Sequence, residues 1–194
     1  MKPLSHFPES ARREIRGVFL DIDDTLTSDG RLTAAAYTSL ERLQRADKLV
    51  IPVTGRPAGW CDHMARMWPV GGIIGENGAF YFRYDYNARQ MIRRYHMDDQ
   101  TLAMNRGKLE LVGNEIVAAV PGAAIAADQR YRETDLAIDF REDVKELSRS
   151  SVENIVGMMK KAGMTTKVSS IHVNGWFGNY DKLTMIRCFL TEEF

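Results

Sequence analysis

The chain has few cysteines, no long hydrophobic run and no excess of charge of either sign. Only Cys61 and Cys188 stand among its 194 residues, so we expect no disulfide framework and a reducing, cytoplasmic location. No apolar stretch approaches the roughly 18 residues that cross a bilayer, and residues 1–17 are polar, unlike a secretory signal. The 26 basic residues equal the 26 acidic ones, which argues against binding to nucleic acid or to an anionic membrane.

The composition is otherwise that of a folded globular protein. Hydrophobic residues make up 44% of the chain and charged residues 27%, which argues against a wholly disordered chain. The length suits one compact domain with a smaller inserted one.

The first 79 residues alternate short apolar runs with amphipathic segments, as an α/β unit with a parallel sheet does. Right-handed crossovers bring the carboxyl ends of such strands to one edge, where open α/β sheets hold their ligands. Asp21, Thr54 and Glu76 each lie at or just after such an end. The predicted elements are strands at 17–22, 49–53 and 72–75, and helices at 33–46 and from Pro57 onward.

The pattern changes at residue 80 and returns to the first type near residue 175. The predicted elements in between are a hairpin of 80–84 with 91–95, a helix at 98–118, strands at 123–127, 136–140 and 166–173, and a helix with a capping box of Ser150 and Glu153. A helix at 181–190 then ends the chain. We therefore expect a core of residues 1–79 and 175–194, with an α+β module inserted at 80–174.

Acidic residues follow the first predicted strand in the run Asp21-Ile22-Asp23-Asp24-Thr25. If the extended geometry persists, alternation points Asp21 and Asp23 to the same side. One carboxylate there suits a nucleophile that forms an aspartyl-phosphate, the second suits a general acid, and the pair suits Mg²⁺. The same run also fits a plain acidic turn in which Asp24 or Thr25 caps a helix.

A second polar segment, Thr54-Gly55-Arg56-Pro57, ends one predicted strand and opens a helix. A hydroxyl group with free backbone N–H groups at a helix N-terminus forms a phosphate pocket, although an ordinary strand-to-helix turn has the same composition. Lys182 begins the last predicted helix and would balance the charge of a phosphate, although a single helical lysine is usually solvated surface.

Taken in order, these segments resemble the haloacid dehalogenase-like superfamily. Asp-x-Asp-x-Thr follows the first apolar strand, Thr-Gly-Arg the second and Gly-Glu-Asn-Gly the third, and a cap-sized insertion precedes Lys182. The layout is similar to that of the type IIB, or Cof-like, phosphatases, whose large cap lies between the second and third motifs. The resemblance covers the chain from about Ile15 to Leu190 and implies an α/β, Rossmann-like parallel-sheet core with an inserted α+β cap.

The resemblance implies roles for the two acids of the first motif. Asp21 would be the nucleophile, and its other oxygen would bind Mg²⁺. Asp23 would be the general acid and base, and its backbone carbonyl would be a second Mg²⁺ ligand. An aspartate at position 23 favours phosphatase or phosphomutase chemistry over the superfamily's dehalogenases.

The resemblance also assigns the binding residues. Thr54 and Lys182 would hold the transferring phosphoryl group, and Gly55 belongs to the same phosphate pocket. Three further residues would lie near the substrate entrance: Arg56, Glu76 and Asn77.

The segment before Lys182 offers a further candidate. Alternation places His172 and Asn174 on one face, where they are able to hydrogen-bond a polar substrate. The alternative is a tight glycine turn with aromatic residues packed between two domains.

One feature of the superfamily is missing. Its fourth motif, a strand followed by an acidic pair, supplies another carboxylate for Mg²⁺, and only twelve residues follow Lys182 here. We therefore hypothesise a truncated chain whose core is incomplete. Val18–Leu20 would then be an exposed apolar edge that favours self-association.

The sequence thus predicts a Mg²⁺-dependent phosphatase that acts on a small phosphorylated metabolite such as a sugar phosphate. Two alternatives stay open. One is a phosphomutase of hexose phosphates, and the other is a non-catalytic phosphate-binding or assembly module.

Overall fold

The computed structural model describes residues 3–194. The elements up to residue 95 are α1 (Glu9–Glu14), β1 (Gly17–Leu20), β2 (Thr27–Ser28), β3 (Arg31–Leu32), α2 (Ala34–Arg45), β4 (Leu49–Pro52), α3 (Ala58–Met67), β5 (Ile73–Gly75), β6 (Phe80–Asp85) and β7 (Gln90–Tyr95). The elements after it are α4 (Asp99–Ala119), β8 (Ala124–Ile125), β9 (Asp135–Asp139), α5 (Arg149–Lys161), β10 (Thr165–Val168), β11 (His172–Trp176) and α6 (Lys182–Glu193). Within this range, no helix combines the length and the apolar character that a membrane span requires.

Three parallel strands form the centre of the first domain, in the order β1, β4, β5. All four residues of β1 pair with β4, and Val53 forms a parallel bridge to Ile74 of β5. Ile51, Ile73 and Ile74 are fully buried, because a sheet made by helical crossovers is covered on both faces. The α/β core predicted from the alternation of strands and helices is confirmed.

The hairpin of β6 and β7 continues this sheet. The strand β6 pairs with β5 in antiparallel fashion, with Phe82 opposite Ile73 and Phe80 opposite Gly75, and both phenylalanines are buried in the core. The boundary predicted at residue 80 had placed the hairpin in the inserted module. Since its hydrogen bonds join it to β5, we propose that the insertion begins near residue 97.

The inserted module is an antiparallel sheet in the order β10, β11, β9, β8, covered on one face by α4 and α5. Alternation along β9 and β11 sends Leu136, Ile138 and Val173 into the apolar core beneath the helices. The intervening residues face the first domain instead. This module is therefore a cap whose sheet has one apolar face, covered by the two helices, and one polar face, which lies toward the first domain.

Two local predictions in the cap were wrong. The single strand predicted at 166–173 is a hairpin, because Ser169 accepts backbone N–H groups of the next turn and reverses the chain. The helix α5 begins two residues earlier than the predicted capping box implies, since the hydroxyl of Ser148, and not that of Ser150, accepts the N–H of Ser151.

The strand β1 pairs with β4 alone in the part of the chain that the structure describes. All four of its residues are only half-buried. The free apolar edge that the sequence predicted at Val18–Leu20 is therefore present.

The last helix is fastened to the hairpin by its acidic end. Tyr81 donates its hydroxyl to Glu192 and Glu193, each at 2.9 Å. Arg83 lies 2.7 Å from Glu193 and Arg94 lies 3.1 Å from Glu192. The side chain of Glu193 is only 14% exposed, so these contacts are shielded from water and contribute more than surface ion pairs do.

Replacing Glu193 by alanine is expected to lower the free energy of unfolding by about 1–2 kcal/mol, because Tyr81 and Arg83 lose a shielded partner. Urea denaturation measures this difference. In the matched control Glu153→Ala, which breaks an exposed pair with Arg149, the expected change is below about 0.5 kcal/mol. Equal losses in the two variants would contradict a special role for the Glu193 contacts.

Candidate active site

The loop after β1 is a tight turn built on Ile22. Its carbonyl oxygen accepts the N–H groups of Thr25, Leu26 and Thr27, and its side chain is buried. Asp21 folds one carboxylate oxygen back onto the N–H of Ile22 at 2.8 Å. The turn thereby fixes the acidic run at the carboxyl end of the strand, where ligands of such sheets bind.

Asp21 and Lys182 meet although 161 positions separate them. The Nζ atom of Lys182 contacts the Oδ2 atom of Asp21, because α6 begins at this lysine beside the end of β1. Gly78, with φ +106°, makes this possible. A Cβ atom there would lie 2.2 Å from the carbonyl oxygen of Asp181, so only glycine lets the chain approach the start of α6 this closely.

Asp23 is held by Arg56. The guanidinium of Arg56 donates to both carboxylate oxygens, at 2.7 Å from Nη2 and at 3.1–3.2 Å from Nε. The other face of the guanidinium lies 4.7 Å from the ring centre of Trp60. Both acids of the first motif therefore have a cationic partner, while their side chains stay 43% (Asp21) and 39% (Asp23) exposed.

The loop after β4 contributes less than the sequence predicted. Gly55 lines the cleft beside the acids. Thr54, in contrast, is fully buried, and its hydroxyl accepts the N–H of Arg56 at 3.0 Å. The structure therefore places Thr54 beneath the surface of the site and does not bring its hydroxyl group into the cleft.

Glu76 does not lie at the substrate entrance, and this prediction is corrected. Its carboxylate is fully buried and accepts N–H groups from Ala58 of the core and from Glu133 and Thr134 of the cap. Burial, and to a smaller extent the negative charge of Asp135, raise the pKa of Glu76 to about 7. Glu76 therefore joins the cap to the core.

The neighbouring Asn77 does line the cleft. Glu76 and Asn77 both have positive φ, 41° and 59°, a conformation that non-glycine residues adopt at a cost and that is concentrated at functional sites. Three backbone contacts hold the turn against the neighbouring loop, among them Asn77 N–H to the carbonyl oxygen of Thr54 at 3.1 Å.

A buried ion cluster continues this junction. Arg132 is 2% exposed and donates to Asp128, to Asp135 and to the carbonyl oxygen of Gly55. Asp135 also accepts from Asn174 at 3.1 Å. The sequence analysis missed Arg132 and Asp135, although the alternation of acidic and apolar residues in β9 is the signal that an acid faces inward.

The cap forms a polar roof over the acids. His172 and Asn174 of β11 and Lys167 of β10 line the cleft from above, as the alternation in β11 predicted for the first two. The Nε2 atom of His172 lies 2.9 Å from Oε2 of Glu142. Both His172 and Asn174 are largely buried, and each has an acidic neighbour within the cap, which orients its side chain.

A small flap of β2 and β3 closes one side of the cleft, with Thr27 and Gly30 in its wall. At its tip Asp29 and Gly30 have φ 50° and 71°. Positive φ at both positions is the geometry of a two-residue hairpin turn, for which Asp-Gly is a strong sequence signal. The sequence analysis overlooked that signal.

The cleft between core and cap has a volume of about 400 Å³, enough for a small metabolite. Mg²⁺ in phosphoryl-transfer sites binds through one or two carboxylates together with water and substrate phosphate. Asp21 offers a carboxylate and Asp23 a backbone carbonyl for such a site. Within residues 3–194 no group of three metal-binding side chains exists, so this pair fits the ion without forming a complete cage around it.

One family model matches a segment near the start of the chain. Residues 18–105 match the family model for haloacid dehalogenase-like hydrolases. No curated protein matches the chain. The matched segment contains the acids, the Arg56 loop and the Glu76 turn, so the similarity to this family includes the residues of the cleft.

Solved structures show the same fold over almost the whole chain. A Thermoplasma acidophilum protein aligns with a TM-score of 0.71 at 15% identity, over 92% of this chain and 72% of its own. A haloacid dehalogenase-like hydrolase from Bacteroides thetaiotaomicron aligns with a TM-score of 0.63 at 14% identity, over 93% and 77%. A sugar phosphatase of subclass IIB aligns with a TM-score of 0.52 at 14% identity, over 92% and 76%. These proteins share the fold of this chain, a parallel-sheet core with an inserted cap.

The junction at Glu76 predicts a pH effect on stability. A carboxyl group whose pKa rises on folding stabilises the protein below its unfolded pKa, and this contribution is lost as the pH rises through about 7. The free energy of unfolding should therefore fall by about 2 kcal/mol from Glu76 alone between about pH 5 and pH 8.

In Glu76→Gln this fall in the free energy of unfolding between about pH 5 and pH 8 should disappear. The free energy of unfolding at low pH should also drop, because the amide group of glutamine would face backbone N–H donors. Urea titrations across the pH range measure both effects. Glu153→Gln, at an exposed position, is the control and should keep the parental slope. An unchanged slope in Glu76→Gln would show that Glu76 does not titrate in this range.

Proposed function

We propose that the chain is a Mg²⁺-dependent phosphatase that hydrolyses a small phosphorylated metabolite, with a sugar phosphate as the favoured class. The observation that carries the proposal is the contact between Asp21 and Lys182 at the carboxyl end of β1, beneath a polar cap. A carboxylate is able to attack a phosphoryl group, and a lysine beside it is able to balance the charge of the phosphoryl oxygens. The structurally similar sugar phosphatase supports the substrate class.

In the proposed reaction Asp21 attacks the phosphorus atom. A bond forms between its carboxylate oxygen and phosphorus, and the bond from phosphorus to the substrate oxygen breaks. Asp23 gives its proton to that leaving oxygen, then takes a proton from a water molecule, which attacks the phosphorus of the aspartyl-phosphate and releases phosphate and Asp21. Mg²⁺, held by Asp21 and the backbone carbonyl of Asp23, supplies positive charge beside the phosphoryl oxygens when bound.

The two cationic partners take part in this proposal. When the substrate enters, the ammonium group of Lys182 leaves the carboxylate of Asp21 and binds a phosphoryl oxygen. The attacking carboxylate is therefore released as the phosphate is bound. Arg56 lies within bonding distance of Asp23 and keeps this carboxylate pointed at the cleft.

One observation favours a non-catalytic alternative. Within residues 3–194 no third metal-binding side chain joins Asp21 and Asp23, which is compatible with a domain that binds phosphate without turning it over. Phosphosugar binding without Mg²⁺-dependent phosphate release is the result expected from this alternative.

Two further proposals concern self-association and the cellular compartment. We propose self-association through the free edge of β1, whose unpaired backbone groups and half-buried apolar residues suit a second copy of the chain. We also propose a reducing compartment such as the cytoplasm, since Cys61 and Cys188 are unpaired thiols.

The test is phosphate release from a panel of sugar phosphates and a chromogenic phosphate ester, with Mg²⁺ and with a chelator. Asp21→Asn should lower turnover by roughly three orders of magnitude or more while the fold is retained. Asp47→Asn removes an exposed acid remote from the cleft and is the matched control. Turnover retained in Asp21→Asn would reject the nucleophile, and interconversion of hexose phosphates without release would identify a phosphomutase.

A further inference from the structure

Lys167 extends from the cap toward the acids of the core. It lies in β10 opposite Asn174 of β11, so the two side chains share the inner face of the cap sheet. Both line the same cleft as Asp21 and Lys182. The cleft therefore has a lysine on each side, one from the core and one from the cap.

Lys167 differs from the other cationic side chains of the cleft in its partners. Arg56 pairs with Asp23, Arg132 with Asp135 and Lys182 with Asp21. Among residues 3–194 no carboxylate lies within ion-pair distance of Lys167. Its ammonium group is thus available to a ligand, whereas the others are engaged with the protein.

The two lysines are close enough to affect each other. Partial burial, followed by the positive charge of Lys182, lowers the pKa of Lys167, while Asp21 acts in the opposite direction. Two ammonium groups that face each other across a cleft repel, and an anion between them relieves this repulsion. Lys182 touches Asp21, and Lys167 lines the same cleft, so a phosphoryl group that Asp21 attacks would lie in the cleft that both lysines line.

We propose that Lys167 binds the transferring phosphoryl group from the cap side, opposite Lys182. This inference rests on the proposed function for the identity of the anion. The phosphate would then bridge the core and the cap. Loss of phosphate on product release would remove that bridge.

The experiment measures binding of inorganic phosphate by calorimetry, with and without Mg²⁺, to the unmodified chain and to three variants. Lys167→Met should raise the dissociation constant about tenfold, because one charge-assisted contact is lost. Lys167→Arg should keep the affinity within about threefold, since the charge is retained. Lys161→Met, which removes an exposed lysine of the same cap, should leave it unchanged.

Two results would overturn the inference. These are parental phosphate affinity in Lys167→Met and absence of phosphate binding by the unmodified chain.

The proposed function is tested separately by the Asp21→Asn assay. Phosphate binding that depends on Lys167 in a chain without turnover would support the inference and reject the phosphatase. Turnover that depends on Asp21, with parental phosphate affinity in Lys167→Met, would do the reverse.

Discussion

The carboxylate of Glu76 is the interaction on which the arrangement of the two domains depends. It accepts an N–H group from the first turn of α3 in the core and two from the segment that leads into β9 of the cap. A buried carboxylate is costly unless its oxygens are satisfied. The cap must therefore be docked for the core to tolerate this side chain, and the roof over Asp21 follows from that docking.

The charges of the cleft are balanced pairwise around this junction. Asp21 and Asp23 each face a cation from another loop, and Arg132 compensates Asp128 and Asp135 beneath the roof. Such pairing holds acidic side chains in place without a ligand. In the proposed reaction, an incoming phosphate would compete with these carboxylates for the same cations, so phosphate binding and the release of Asp21 from Lys182 would be one event.

The sequence predicted those parts of the site that follow directly from strand ends. Asp21 and Asp23 were identified because they follow the carboxyl end of a strand in a parallel sheet, whereas Lys182, at the start of a helix, was placed beside them by the resemblance to the superfamily. The buried role of Glu76 was not predictable, since its donors Glu133 and Thr134 lie 57 and 58 positions away. The pairing of β6 with β5 was not predictable either, because it depends on the register between two strands.

Other features were within reach of the sequence but were misinterpreted. The Asp29-Gly30 pair favours a two-residue hairpin turn, but no hairpin was predicted at this position. Interpreting 166–173 as one strand concealed that Lys167 shares a face with Asn174, because the turn at Ser169 pairs the two strands. The turn depends on the hydroxyl group of Ser169, which accepts backbone N–H groups of the residues that follow, and these hydrogen bonds are visible only in the structure.

The helix α6 connects two distant parts of the molecule mechanically. Its first residue, Lys182, touches Asp21, and its last turn is fastened to β6 and β7 through Tyr81, Arg83 and Arg94. Twelve residues make a rod about 18 Å long. The position of Lys182 at the cleft is therefore set in part by side chains of the hairpin at the other end of the helix, so residues that line no part of the cleft contribute to its geometry.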